Sequence, residues 1–202
     1  MSTVAATALR VMPVEIRWHG RGGQGVVTAS RMLATAALRA GYYPQSLPDF
    51  GAERSGAPVA AYSRIGTEPP TVRGPVTAPT AVVVLDLTLV AAVDVLDGLQ
   101  PGGLVIVNTP RDPGTVRDML GVRRAIVFTV DATGIATRLT GRPLPNSPMV
   151  GALIRAMPIV DLPTMLATLR EEMGRTFPRK VVEANAAALT EGYETALAGG
   201  LT

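Results

Sequence analysis

The 202-residue sequence contains no cysteine and one histidine, His19. Without thiolates the chain cannot ligate an iron–sulfur cluster through cysteine, close a disulfide or offer a thiol nucleophile. A lone histidine also excludes a zinc site built on several. Only 17% of residues are charged, and the basic ones, almost all arginines, are scattered without a polybasic run. Four tyrosines and three phenylalanines are too few for a base-stacking platform, so nucleic acid is not an expected partner despite the net charge of +3. No stretch approaches the roughly 20 apolar residues that span a bilayer. Met1 to Met12 lacks the basic start and continuous apolar stretch of a signal peptide. The expectation is a soluble cytoplasmic protein with no membrane partner.

What is present in quantity is apolar sequence, 47% of the chain, which excludes a disordered polypeptide and suggests a surface partly covered by partners. The length suits one sizeable core. Residues 1–13 are expected to form an extension and 14–198 one domain. Val14-Glu15-Ile16-Arg17-Trp18 alternates as a half-buried strand does, and Val26 to Arg39 follows helical spacing. Between them, His19-Gly20-Arg21-Gly22-Gly23-Gln24-Gly25 forms a strand-to-helix turn in which Gly20, Gly22 and Gly25 match G-x-G-x-x-G. Such a turn permits close backbone approach to an anion at the helix N-terminus. A dinucleotide site should add an acidic residue at the end of the second strand, about 20 residues on. That strand, Tyr42 to Leu47, ends in Gln45 and Ser46, so half of the fingerprint is missing.

Further along, Pro48 to Pro58 reads as a loop, Val59 to Ile65 as a strand, and Gly66 to Pro79 as an exposed connection. The apolar runs Ala81 to Asp86, Leu104 to Asn108 and Ala125 to Val130 are expected to be strands buried on both faces of a parallel sheet. Leu89 to Leu99 and Arg111 to Leu120 are expected helices between them. Beyond Asp131 only helices are expected, over Ala132 to Leu139, Met149 to Ala156, Asp161 to Gly174 and Pro178 to Leu197. The fold class is therefore α/β: a mostly parallel sheet flanked by helices, a Rossmann-like glycine-rich turn after strand 1, and a helical C-terminal region.

Ligands of open α/β sheets bind beyond the carboxyl ends of the strands. There the chain places the glycine turn, Pro48 to Arg54, Asp86 to Thr88, Asn108-Thr109 and Asp131. Helix capping is favoured over ligand contact for Asp86 and Asp131. For His19, structural hydrogen bonding is favoured over general-base work, because no nucleophile and orienting group accompany it. Glu53-Arg54 could hold its loop as an ion pair or present a charge to a ligand or neighbouring subunit.

Taken together, Gly20 to Gly25, Pro48-Asp49-Phe50-Gly51-Ala52-Glu53-Arg54-Ser55-Gly56-Ala57-Pro58, Leu85-Asp86, Pro101 to Thr109, Asp131-Ala132-Thr133 and Pro145 to Ala152 resemble the gamma subunit of 2-oxoacid:ferredoxin oxidoreductases of the pyruvate synthase type. The resemblance covers Val14 to about Tyr193. It implies a subunit of an enzyme that decarboxylates a 2-oxoacid on thiamine diphosphate, passes electrons through iron–sulfur clusters to ferredoxin and transfers the acyl group to coenzyme A. Thiamine diphosphate with magnesium and 4Fe-4S clusters would sit on alpha, beta and ferredoxin-like delta partners, with an external ferredoxin or other acceptor. This chain, with no catalytic or metal-ligating residue expected, would close the active site and help bind coenzyme A. The candidate contacts are Gly20, Arg21, Gly22, Gly23, Gln24, Gly25, Glu53, Arg54, Asn108, Thr109 and Asn146. The module is shared by relatives acting on oxoglutarate, branched-chain, aryl-glyoxylate and indolepyruvate substrates, so the 2-oxoacid stays open. A free-standing dinucleotide-binding oxidoreductase domain and a ligand-free scaffold are the competing readings.

Overall fold

In the computed structural model, which describes residues 12–49 and 56–199, the first strand, β1 (Val14–Arg21), lies in the middle of a seven-stranded sheet. Helix α1 (Val26–Arg39) follows the glycine turn, then β2 (Tyr43–Asp49), β3 (Pro58–Gly66) and β4 (Ala81–Val84). A 3-10 turn at Leu87–Ala91 leads to β5 (Leu104–Asn108), α2 (Pro113–Leu120), β6 (Ile126–Val130) and α3 (Ala132–Thr140). The chain ends in α4 (Asn146–Ala156), α5 (Leu162–Gly174), α6 (Arg179–Thr195) and β7 (Leu197–Gly199). Strand order is β2-β3-β1-β4-β5-β6-β7. The core β1, β4, β5 and β6 run parallel, whereas β3 is antiparallel to both β1 and β2, and β7 is antiparallel to β6.

The second strand runs on to Asp49 and so does close on an acidic residue, contrary to the expectation that it stops at Leu47, but the strand order keeps that residue out of the ribose-binding position. The strand after α1 is not the neighbour of β1, because β3 is inserted between them. The end of β2 therefore lies one strand too far from the turn to hold a ribose in the Rossmann manner.

Helix α1 buries Val26, Ala29, Ser30, Met32, Leu33, Ala36 and Ala37, a stripe at helical spacing. It lies with α3, α4, α5 and α6 on the side of the sheet bearing Ile16, Trp18, Ala61, Val83, Ile106 and Phe128. Trp18 is fully buried, and its indole N–H donates to Ser63 Oγ at 3.0 Å, which is joined to Ser30 Oγ at 2.9 Å. A buried indole needs such a partner. Helices α4 and α6 touch backbone to backbone: a Cβ on Gly151 would collide with the Leu189 carbonyl, and one on Gly192 with that of Pro148. The opposite face carries a second core of Val82, Val84, Val105, Val107 and Val127 under Leu89, Val95 and Val116.

Three further expectations need correction. Leu89 to Leu99 is not a helix; after the 3-10 turn the carbonyls of Val95 and Asp97 accept from the Arg17 guanidinium instead of from helical N–H groups. Strands do not stop at Asp131, because the open edge of β6 recruits Leu197–Gly199, three residues with no periodic signal. The charged face of β1 is not at the surface either: Arg17 and His19 are buried beneath the connections that surround Val76 and Val95. Among the described residues no helix is long and apolar enough to cross a membrane.

Candidate functional site

The parallel strands β1, β4, β5 and β6 end at one edge, and the glycine turn occupies its centre. A Cβ on Gly20 would strike Val26 Cγ2, so the first glycine serves close strand-to-helix packing. Gly23 and Gly25 have φ of 95° and 80°, the left-handed region that glycine enters without strain. The turn is closed by Gln24 N donating to the Arg21 carbonyl at 3.0 Å and Arg21 N donating to Gln24 Oε1 at 2.8 Å. Gly22 N donates to the Ala57 carbonyl at 2.9 Å, and Gly56 N to the Gly22 carbonyl at 3.3 Å, which ties the turn to the start of β3.

Helix α1 starts at Gly25 with no side-chain cap. Helices α4 and α6, behind Pro145 and Pro178, also start without a side-chain cap, whereas α2, α3 and α5 are capped by Asp112, Asp131 and Asp161, which accept from Thr115, Gly134 and Thr164 N–H groups. The first-turn N–H groups of a helix lack intrahelical partners, and the helix dipole is positive there. At α1 these donors are left to something other than a capping side chain.

Arg21 and Gln24 converge on Asp86, at the end of the adjacent strand. Arg21 Nε donates to Asp86 Oδ2 at 3.1 Å, Nη2 to Thr88 Oγ1 at 2.8 Å and Nη1 to the Gly56 carbonyl at 3.1 Å. Three of its five N–H groups are thus engaged within the protein. Burial pushes the Asp86 carboxyl up, but hydrogen bonds from Thr88 and Gln24, with the Arg21 charge, outweigh this and hold it below the ordinary aspartate range.

The other candidates divide. Asn146, at the start of α4, lies against the turn: a Cβ on Gly25 would come within 2.8 Å of its amide. Asn108 is occupied structurally, donating to the Leu85 carbonyl and Thr133 Oγ1, each at 2.8 Å, and accepting from Thr133 N at 3.1 Å. Thr109 is buried, with its Oγ1 accepting from Arg111 N at 3.2 Å. Both lie at the same edge, two strands from the turn. Glu53 and Arg54 lie outside the described residues. Asp86 caps the 3-10 turn through Thr88 N, and Asp131 caps α3, as expected. Asp86 also pairs with Arg21 across 65 positions, and Thr88 joins that pair. The only sequence signal for this was an aspartate closing a buried strand.

His19 is held by its strand neighbour Arg17. Its Nε2 accepts from Arg17 Nε at 3.1 Å, and burial, reinforced by the Arg17 charge and opposed by Asp94, lowers its pKa to about 4. It is a neutral imidazole lining a recess of about 330 Å³ with Arg17, Asp49, Tyr62 and Asp94. A larger recess, about 430 Å³, lies at the opposite edge over the Glu15–Arg64 ion pair, away from the turn. Among the described residues no group of three or more histidine or acidic side chains could hold a metal ion. With no cysteine the chain also does not fit an iron–sulfur cluster.

A glycine turn leading into a helix at the carboxyl edge of a seven-stranded mixed sheet places the chain among α/β proteins. The chain belongs to the pyruvate ferredoxin/flavodoxin oxidoreductase family, whose model matches residues 15–195. It is 47% identical over 180 residues to the pyruvate synthase subunit PorC of Thermotoga maritima, covering 89% of this chain and 93% of the relative. It is 43% identical to the pyruvate/ketoisovalerate oxidoreductases common subunit gamma of Thermococcus kodakarensis, with coverage of 89% and 95%. The crystal structure of pyruvate oxidoreductase subunit PORC from T. maritima superimposes with a TM-score of 0.82 at 42% identity, covering 93% of this chain and 99% of that one. A structure of 2-oxoglutarate:ferredoxin oxidoreductase from Magnetococcus marinus with 2-oxoglutarate, coenzyme A and succinyl-CoA bound matches with a TM-score of 0.74. It covers 90% of this chain and 30% of that one at 20% identity, a likeness of fold alone.

Proposed function

We propose that this chain acts as the gamma subunit of a 2-oxoacid:ferredoxin oxidoreductase that converts a 2-oxoacid, coenzyme A and an oxidised acceptor to an acyl-CoA, and that its glycine turn contacts the phosphates of coenzyme A. Thiamine diphosphate, magnesium and the 4Fe-4S clusters belong to alpha, beta and delta partners, since this chain offers neither thiolates nor an acidic metal site among its described residues. The observation that supports the reading is the glycine turn leading into α1 at the carboxyl edge of the parallel strands, with Gly23 and Gly25 in the left-handed region and no side chain capping the helix, where backbone N–H groups and the helix dipole favour an anion. The coenzyme A bound to the M. marinus enzyme fits this assignment of co-substrate.

The test uses the assembled complex. Gly22→Val should abolish the dependence of acyl transfer on coenzyme A by blocking backbone approach, while thiamine-dependent decarboxylation on the partner chains is largely kept. Arg21→Ala should weaken apparent affinity for coenzyme A by ~1.5–3 kcal/mol, the range for hydrogen bonds to charged groups. An intact Arg21→Ala complex with an unchanged coenzyme A concentration dependence would overturn the assignment.

A further inference from the structure

Asp86 stands at the junction of the glycine turn and the strand beside it. Leu85 N donates to the His19 carbonyl at 2.8 Å, which sets the end of β4 against the end of β1 and delivers Asp86 next to Arg21. The two carboxylate oxygens divide their labour. Oδ1 caps the 3-10 turn, accepting from Thr88 N at 3.0 Å and Thr88 Oγ1 at 2.6 Å. Oδ2 faces the glycine turn, accepting from Arg21 Nε at 3.1 Å and Gln24 Nε2 at 3.0 Å. Gln24 can meet Asp86 only with its amide nitrogen turned that way, which leaves Oε1 to close the turn on Arg21 N. Arg21, so held, reaches the Gly56 carbonyl, the point where the chain re-enters β3.

A cap alone would need only Oδ1. We propose that Asp86 is the positioning residue of the glycine turn: through Oδ2 it fixes the Gln24 amide and the Arg21 guanidinium together, and through Arg21 it sets Gly56 beside the turn. Its side chain is 17% exposed and that of Arg21 33%, so the pair is partly shielded from water. The consequence for coenzyme A rests on the reading of the turn given above; the positioning itself does not.

Asp86→Asn separates the two oxygens' work. An asparagine keeps the size and an Oδ1 acceptor for the cap, but turns an N–H₂ donor toward the donors of Arg21 and Gln24. Asp86→Ser, also a good cap, keeps the 3-10 turn and cannot reach Arg21. In the assembled complex both variants should accelerate amide hydrogen exchange in residues 20–26 and 56–58. Both should weaken equilibrium binding of coenzyme A about tenfold, with kcat at saturating coenzyme A within about twofold of wild type. In an Arg21→Ala background Asp86→Asn should add clearly less than it costs in the wild type, only the Gln24 contact remaining to be lost, the non-additivity of a residue acting through another. Wild-type exchange in Asp86→Asn, or fully additive losses with Arg21→Ala, would overturn the proposal. Faster exchange with coenzyme A affinity unchanged in Asp86→Asn, Arg21→Ala and Gly22→Val alike would uphold the positioning role and overturn the coenzyme A assignment.

Discussion

One row across the sheet reads Tyr62, Arg17, Val82, Val105, Val127, and the next reads Ala60, His19, Val84, Val107, Thr129. On the same face, the half formed by β4, β5 and β6 is almost entirely valine, and the half formed by β1 and β3 is charged and polar. The difference follows what covers each half. Helix α2 and the 3-10 turn bring Val116 and Leu89 over the valines, with most of their backbone groups already paired. Irregular connections cover the other half and present carbonyls that need donors. Arg17 donates to the carbonyls of Val76, Val95 and Asp97, and Arg64 to those of Gly74 and Pro75. Where a covering loop turns its carbonyls toward the sheet, arginine lies beneath it; where a helix or loop turns apolar side chains such as Val116 or Val95 toward the sheet, valine does.

The contrast can be broken most severely at Arg17. Arg17→Met fills similar space but leaves three carbonyls and His19 without their donor. Urea unfolding followed by the fluorescence of Trp18, the chain's one tryptophan, should show a loss of roughly 3–5 kcal/mol, as for other broken buried charge networks. A loss no larger than that of a surface substitution would mean that water replaces the guanidinium.

His19 sharpens the contrast through pH. Its pKa is about 4 folded against 6.5 in the unfolded chain, so between those values only the unfolded state takes the proton. Stability is therefore full above pH 6.5 and declines as pH falls toward 4, by about 3 kcal/mol at 1.36 kcal/mol per unit. His19→Gln, which can still accept from Arg17, should flatten this part of the acid limb. An unaltered slope would assign the acid sensitivity to other groups.

The smallest effect belongs to the valine half. Val105→Ala removes two methyl groups from a fully buried site and should cost about 2 kcal/mol, equally at pH 5 and pH 8. A cost that varied with pH would show that the two halves are coupled through the shared β1–β4 ladder.

Much of this architecture could be read from the sequence where the signal is local. The helix Val26–Arg39 begins and ends where glycine and periodicity place it, the valine runs became the buried parallel strands, and Asp131 caps the helix it precedes. What escaped was set by distant partners. Nothing near Arg17 in sequence shows that its charge would be spent on carbonyls 59 and 78 positions away. The alternation of β1 correctly marked two faces but suggested that the charged one met water. Likewise Gly20 to Gly25 announced a turn, whereas its attachment to Asp86, 62 positions from Gln24, depends on which strand became the neighbour of β1.

The prolines of β2 carry a consequence for life outside the complex. Pro44 and Pro48 lie in an edge strand paired only with β3, and proline is tolerated in a ladder where its nitrogen faces away from the neighbour. Two of the outward donors that an incoming strand would need are therefore missing, which disfavours addition of another chain to that rim. A free subunit that self-associates is therefore expected to do so by contacts other than strand-to-strand templating along β2.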